Sequence, residues 1–162
     1  MPRSTPSATP SKLKTALDRG CLAILLLVSV GTGAWAYSTP AAWHRYFPGF
    51  GLSWLPQLGP YNEHLARDTG AAFLTLAVLS ALALWRITDV VLTRATGASW
   101  LVFNGLHLGY HATMLHMYGL RDQLLSMGSL ALLVVVSIVL LLPAPARSTP
   151  PPERKSAVDS PA

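Results

Sequence analysis

The stretch Leu124–Leu142, LLSMGSLALLVVVSIVLLL, runs for 19 residues without a charged side chain. A helix that crosses the hydrocarbon core of a bilayer needs about 20 mainly apolar residues. In lipid, such a segment satisfies its backbone polar groups only as a helix. The stretch therefore reads as a transmembrane helix, and it sets the scale for the rest of the chain.

Working outward, three further apolar runs stand upstream: Cys21–Tyr37, Ala71–Trp85 and Ala98–Tyr118. The third fits a span directly. The second reaches span length if Arg86 snorkels and the helix continues to Leu92. The first is at the lower limit. The expected fold is all-α: a four-helix transmembrane bundle in one domain, 18–142, with helices at about 18–38, 62–92, 97–119 and 122–142. Residues 1–17 and 143–162 are expected to be disordered cytoplasmic tails. The second is rich in proline, and Pro143, Pro145 and Pro150–Pro152 end the last helix.

Composition agrees. Hydrophobic residues make up 51% of the 162-residue chain and charged residues 12%, against about 25% charged in soluble domains. The net charge of +5 is spread around the apolar runs without aromatic clusters, which excludes a nucleic-acid partner. The partner it predicts is the lipid bilayer. With one cysteine, Cys21, the chain has no disulfide framework and no CxxC pair. The P-loop, GxGxxG, GxSxG and HExxH motifs are absent as well.

Lysine and arginine set the orientation. With the N-terminus inside, Arg3, Lys12, Lys14, Arg19, Arg86, Arg94, Arg147, Arg154 and Lys155 are cytoplasmic, and only Arg45, Arg67 and Arg121 are outside. Both termini are then cytoplasmic in a multi-pass protein. Trp35 falls at the outer end of the first helix, and Trp85 and Trp100 at the inner ends of the second and third, depths that suit amphipathic rings. One rival exists for the first helix. Lys12, Lys14 and Arg19 precede an apolar core and Ala34-Trp35-Ala36, the pattern of a cleavable signal peptide. Against it, Ser29 and Gly33 form a small-xxx-small pair suited to helix packing. The loop Ser38–Tyr61 is read as non-helical. Its aromatic residues place it at the outer headgroup level, or make it a lid over the bundle.

Ionisable groups inside spans are costly and mark where function is sought. Projected as a helix, the second span gathers His64, Asp68, Thr75, Arg86 and Asp89 in one sector. The third gathers Trp100, Asn104, His107, His111 and Tyr118. Gly105 and Gly109 form a GxxxG on another face of the third span, with Ala112 and His116, and leave a homo-oligomer open. In the fourth, Ser126, Ser129 and Ser137 roughly align. Asn62 is placed to cap the second helix. Glu63 and Arg67 form an i,i+4 pair, and Arg86 and Asp89 are spaced to pair. The candidate polar seam, directed toward the outer leaflet, is His64, Asp68, Asn104, His107, His111 and Tyr118. His107 and His111, at i,i+4, are the candidate metal ligands, for a transition metal or as axial ligands of haem. His107 is expected near mid-bilayer, about 15 Å from the inner boundary. His111 is expected on the order of 9 Å below Asp68.

The segment Pro60-Tyr61-Asn62-Glu63-His64-Leu65, Asp68-Thr69-Gly70, followed by Trp100-Leu101-Val102-Phe103, His107-Leu108, His111 and His116, resembles small four-helix bacterial integral membrane proteins of the DoxX-like kind. The resemblance covers about residues 20–142. It implies a bacterial inner-membrane location and a partner within a membrane complex, and it transfers no catalytic residue. Three functions stay open. One is a non-enzymatic membrane protein with a buried polar seam. Another is a membrane redox or metal protein using His107 and His111. The third is a small transport or proton-conducting subunit.

Overall fold

Buried positions spaced by three and four residues build the long helices. In the computed structural model, which describes residues 12–143, helix α1 (Lys12–Ser38) buries Lys14, Asp18, Leu22, Leu25, Ser29, Gly33 and Ala36 along one stripe. Helix α4 (Glu63–Trp85) begins where the Asn62 side chain accepts the Leu65 amide at 3.1 Å. Helix α5 (Val90–Thr113) begins in the same way: the Asp89 carboxylate accepts the Leu92 amide at 3.0 Å. Helix α6 (Leu120–Leu141) carries the charge-free run. Three of these, α1, α4 and α6, are long and apolar enough to cross a membrane. Helix α5 has 24 residues, about 36 Å, but is more polar.

Several expected boundaries change. The second helix stops at Trp85, short of Leu92. There the Arg86 amide closes the last turn on Leu82 O at 2.9 Å, and its guanidinium lies 5.6 Å from the Trp85 ring centroid. Arg86 and Asp89 do not pair, because Asp89 is committed to capping the next helix. That helix starts at Val90, seven residues before the expected position. It ends at Thr113, before a short 3-10 turn at Leu115–Met117. Helix α1 starts at Lys12, inside the expected N-terminal tail. The remainder of both expected tails lies outside the described residues.

The helices pack as two antiparallel hairpins, α1 with α4 and α5 with α6, which meet along α1/α6 and α4/α5. Glycine permits the closest approach. A Cβ on Gly70 would stand 2.6 Å from Tyr37 N and 2.9 Å from Gly33 O, and one on Gly97 would stand 2.7 Å from Leu140 Cβ. A Cβ on Gly105 or Gly109 would meet nothing within 4 Å. The GxxxG face is therefore unused by the described residues. Leu22, Leu25, Phe73, Ala83, Trp100, Val136 and Leu140 form the main core.

The segment expected to be non-helical is a folded cap. It consists of helix α2 (Pro40–Tyr46), a two-stranded ribbon of β1 (Pro48–Gly49) and β2 (Leu52–Ser53), and one turn of helix α3 (Leu55–Leu58). Pro40 sits in the first turn of α2, where its missing N–H is no loss. Trp43, Ala36 and Ala66 form a second core with Trp35, Phe47 and Leu55. Gln57 Nε2 donates to Asp122 Oδ2 at 3.2 Å, so the cap reaches from α1 and α4 across to α6. One end of the bundle is thus capped. The opposite end holds the α4–α5 turn.

Candidate functional site

The six candidate seam residues do not form one seam. His64 and Asp68 pair with each other at 3.3 Å on the first turns of α4, with side chains 88% and 63% exposed. Beside them Glu63 accepts from Arg67 at 2.8–2.9 Å, as the i,i+4 spacing predicts. Arg67 also donates to Tyr37 O at 2.7 Å and so ties α4 to the end of α1. The His64 and Asp68 side chains both lie on the exposed surface of α4.

The other four lie along α5 and the turn after it. Asn104 is 1% exposed. Its Nδ2 donates to Ser137 Oγ at 3.1 Å and to Leu133 O at 3.3 Å, both on α6. Ser137 Oγ in turn donates to Leu133 O at 2.7 Å. His107 stacks on Phe103 with centroids 5.6 Å apart, and His107 and His111 meet edge to face at 4.5 Å. Because α5 starts at Val90, His107 is 17 residues into the helix, about 26 Å. The pair therefore sits near the capped end instead of mid-helix. His111 lies two residues from the capped end of α5, and Asp68 five residues from the capped end of α4. His116 is exposed in the 3-10 turn.

Tyr118, 5% exposed, follows that turn. Burial, then the Asp122 carboxylate, then Tyr110, push its phenol up to about 12. Asn104 Oδ1, His111 Nδ1 and Tyr118 Oη are buried without a hydrogen-bond partner among the described residues. No group of three His, Cys, Asp or Glu side chains that can hold a metal ion occurs among the described residues. A groove of about 500 Å³ between α4 and α5 is lined by Thr75, Leu76, Val78, Leu79, Leu82 and Ser99, none of them a candidate.

Four polar contacts were not expected from the sequence. Trp100, expected at a membrane boundary, is fully buried ten residues into α5, and its Nε1 donates to Ser80 Oγ at 2.8 Å. Ser80 Oγ itself donates to Leu76 O at 2.8 Å. At the uncapped end, Lys14 and Asp18 form a buried ion pair on α1, and Lys14 Nζ also donates to Val139 O of α6 at 3.2 Å. A sequence signal for this pair existed. Positions 14 and 18 continue the three-and-four spacing of Leu22, Leu25 and Ser29 into the charged turns.

No protein-family model matches the chain, and no curated protein or solved structure matches it.

Proposed function

We propose that the chain is a four-span integral membrane protein without catalytic activity of its own. In this reading α5 crosses the bilayer with α1, α4 and α6, both ends are cytoplasmic, and the cap lies outside. The length of α5 and its antiparallel packing on α6 support the fourth crossing. The charge count, nine against three, supports the orientation. The polar stripe of α5 is structural: it fastens α5 to both neighbouring helices. The observation that carries this is the pair of interhelical bonds one turn apart, Trp100 to Ser80 on α4 and Asn104 to Ser137 on α6. In lipid such bonds contribute about 1 kcal/mol each. Thermal unfolding of purified Trp100→Phe and Asn104→Leu tests the reading: both should lower stability, and wild-type stability in both would contradict it.

A second reading is favoured by the juxtaposed rings of His107 and His111 and by the unpartnered Asn104 Oδ1, His111 Nδ1 and Tyr118 Oη. Here the capped half of α5 takes a metal, haem or small hydrogen-bonding ligand. An absorption spectrum with metal analysis of purified protein separates the two. A Soret band or stoichiometric metal, lost in His107→Leu or His111→Leu, establishes the second reading. Kinship with DoxX-like proteins and membership of a larger membrane complex are part of this proposal.

A further inference from the structure

Strain and apolar exposure coincide at one residue of the cap. The tip of the β1–β2 ribbon is Gly49-Phe50-Gly51, with φ of 94°, 56° and 77°. Glycine adopts such values freely, whereas a bulky side chain there is strained. Phe50 is the only non-glycine residue with positive φ among the described residues, and it is 98% exposed. The tip is firmly presented. Trp54 N donates to Phe47 O at 2.8 Å, Ser53 Oγ to Arg45 O at 2.8 Å, and Gln57 Nε2 to Ser53 O at 2.7 Å.

The height of the tip follows from its base. The Phe47 ring lies 6.4 Å from Trp35 and 5.7 Å from Trp43. Trp35 is three residues inside the end of α1. From the buried Lys14–Asp18 pair to Trp35 is 17–21 residues, about 26–32 Å of helix, which matches the hydrocarbon thickness of a bilayer. Trp35, and with it the base of the ribbon, therefore stands at the cap-side boundary of the hydrocarbon. Phe50 is three residues further on, at most about 10 Å away, within reach of the headgroup layer. Tyr37 and Tyr46 are exposed nearby, and Arg45 lies over the Tyr46 ring at 5.9 Å. Aromatics with cations are the composition of a membrane interface.

We propose that Phe50 is a lipid anchor: its ring inserts at the headgroup–acyl boundary of the cap-side leaflet and pins the cap to the bilayer. The inference rests on the membrane-spanning reading above. It commits to lipid because this bilayer is always within reach of the tip.

The chain has four phenylalanines, Phe47, Phe50, Phe73 and Phe103. Uniform para-fluorophenylalanine labelling therefore gives four fluorine resonances from the intact chain in lipid nanodiscs, with Phe50 assigned by its loss in Phe50→Leu. A lipid nitroxide near the headgroup should abolish most of the Phe50 signal, and an aqueous gadolinium chelate should leave it. The reverse pattern overturns the inference. Protection from both agents, as a protein partner or second copy covering the ring would give, overturns it too. Phe73, in α4, is the control. If a nitroxide near the acyl end leaves Phe73 unbroadened, the membrane-spanning reading itself falls, and the inference with it.

Discussion

Replacing Gly70 with alanine tests the pairing of α1 with α4. The added Cβ would stand 2.6 Å from the Tyr37 amide nitrogen and 2.9 Å from Gly33 O and Tyr37 Cβ. Ordinary contact begins near 3.5 Å, so about 1 Å of room is missing. Two of the three obstacles are backbone atoms of α1, which cannot rotate aside as a side chain would. The helices have to separate, and Leu74, packed against Gly33, moves with them. Overpacking of this kind costs about 1–3 kcal/mol, or about 3–9 °C in the midpoint for a chain of this length. Gly105→Ala is the matched control. Its Cβ meets nothing within 4 Å, and alanine is the better helix former by up to about 1 kcal/mol. Thermal unfolding of both variants in the same detergent, followed by near-UV circular dichroism, should show a loss for Gly70→Ala and none for Gly105→Ala. Equal midpoints would refute the packing argument.

Three further outcomes follow. A double-mutant cycle of Asn104→Leu and Ser137→Ala should give a coupling of about 0.5–1.5 kcal/mol; additive losses would deny the α5–α6 bond. Asp18→Asn removes the carboxylate from beside buried Lys14 and should cost about 3 kcal/mol in chemical unfolding, most of it recovered when Lys14→Met is added; a silent Asp18→Asn would contradict burial of the pair. The Tyr118 phenol is raised in the folded chain to about 12 from 10.0, so above pH 10 the unfolded chain loses its proton first. Its contribution is then complete below about pH 10 and is lost toward pH 12. Tyr118→Phe should remove that part of the alkaline loss in thermal unfolding across this range, and an unchanged alkaline profile would contradict the burial of Tyr118.

The helices were legible because apolar length is a strong signal in a chain whose solvent is lipid. The break between α4 and α5 was not, since a snorkelling Arg86 extends a span as readily as it ends one. The local cue was Asp89, three residues before Leu92 at the head of a Val-Val-Leu run, a capping position. Misplacing that break displaces the positions along α5 and leaves α6 where apolar length puts it. Trp100 was set at a boundary instead of in the core, and His107 at mid-bilayer instead of near the cap. Helical projection groups Asn104 with His107 and His111 on one stripe of the helix. It had no means of choosing which neighbour that stripe meets, and α6 supplied Ser137 while α4 supplied Ser80. His64 and Asp68 satisfied the same projection but face outward, because Gly33 and Gly70 fix the rotation of α4 against α1. The cap hid behind its prolines and glycines, which end long helices yet start α2 and turn the ribbon.

The central claim is that α5 is a fourth crossing. Single cysteines at exposed Thr88, His116 and Pro60, each in a Cys21→Ser background, can be probed in intact cells with a membrane-impermeant thiol reagent. Four crossings predict that His116→Cys and Pro60→Cys are labelled from outside, while Thr88→Cys is labelled only after lysis. Labelling of Thr88→Cys and His116→Cys from the same side would contradict it.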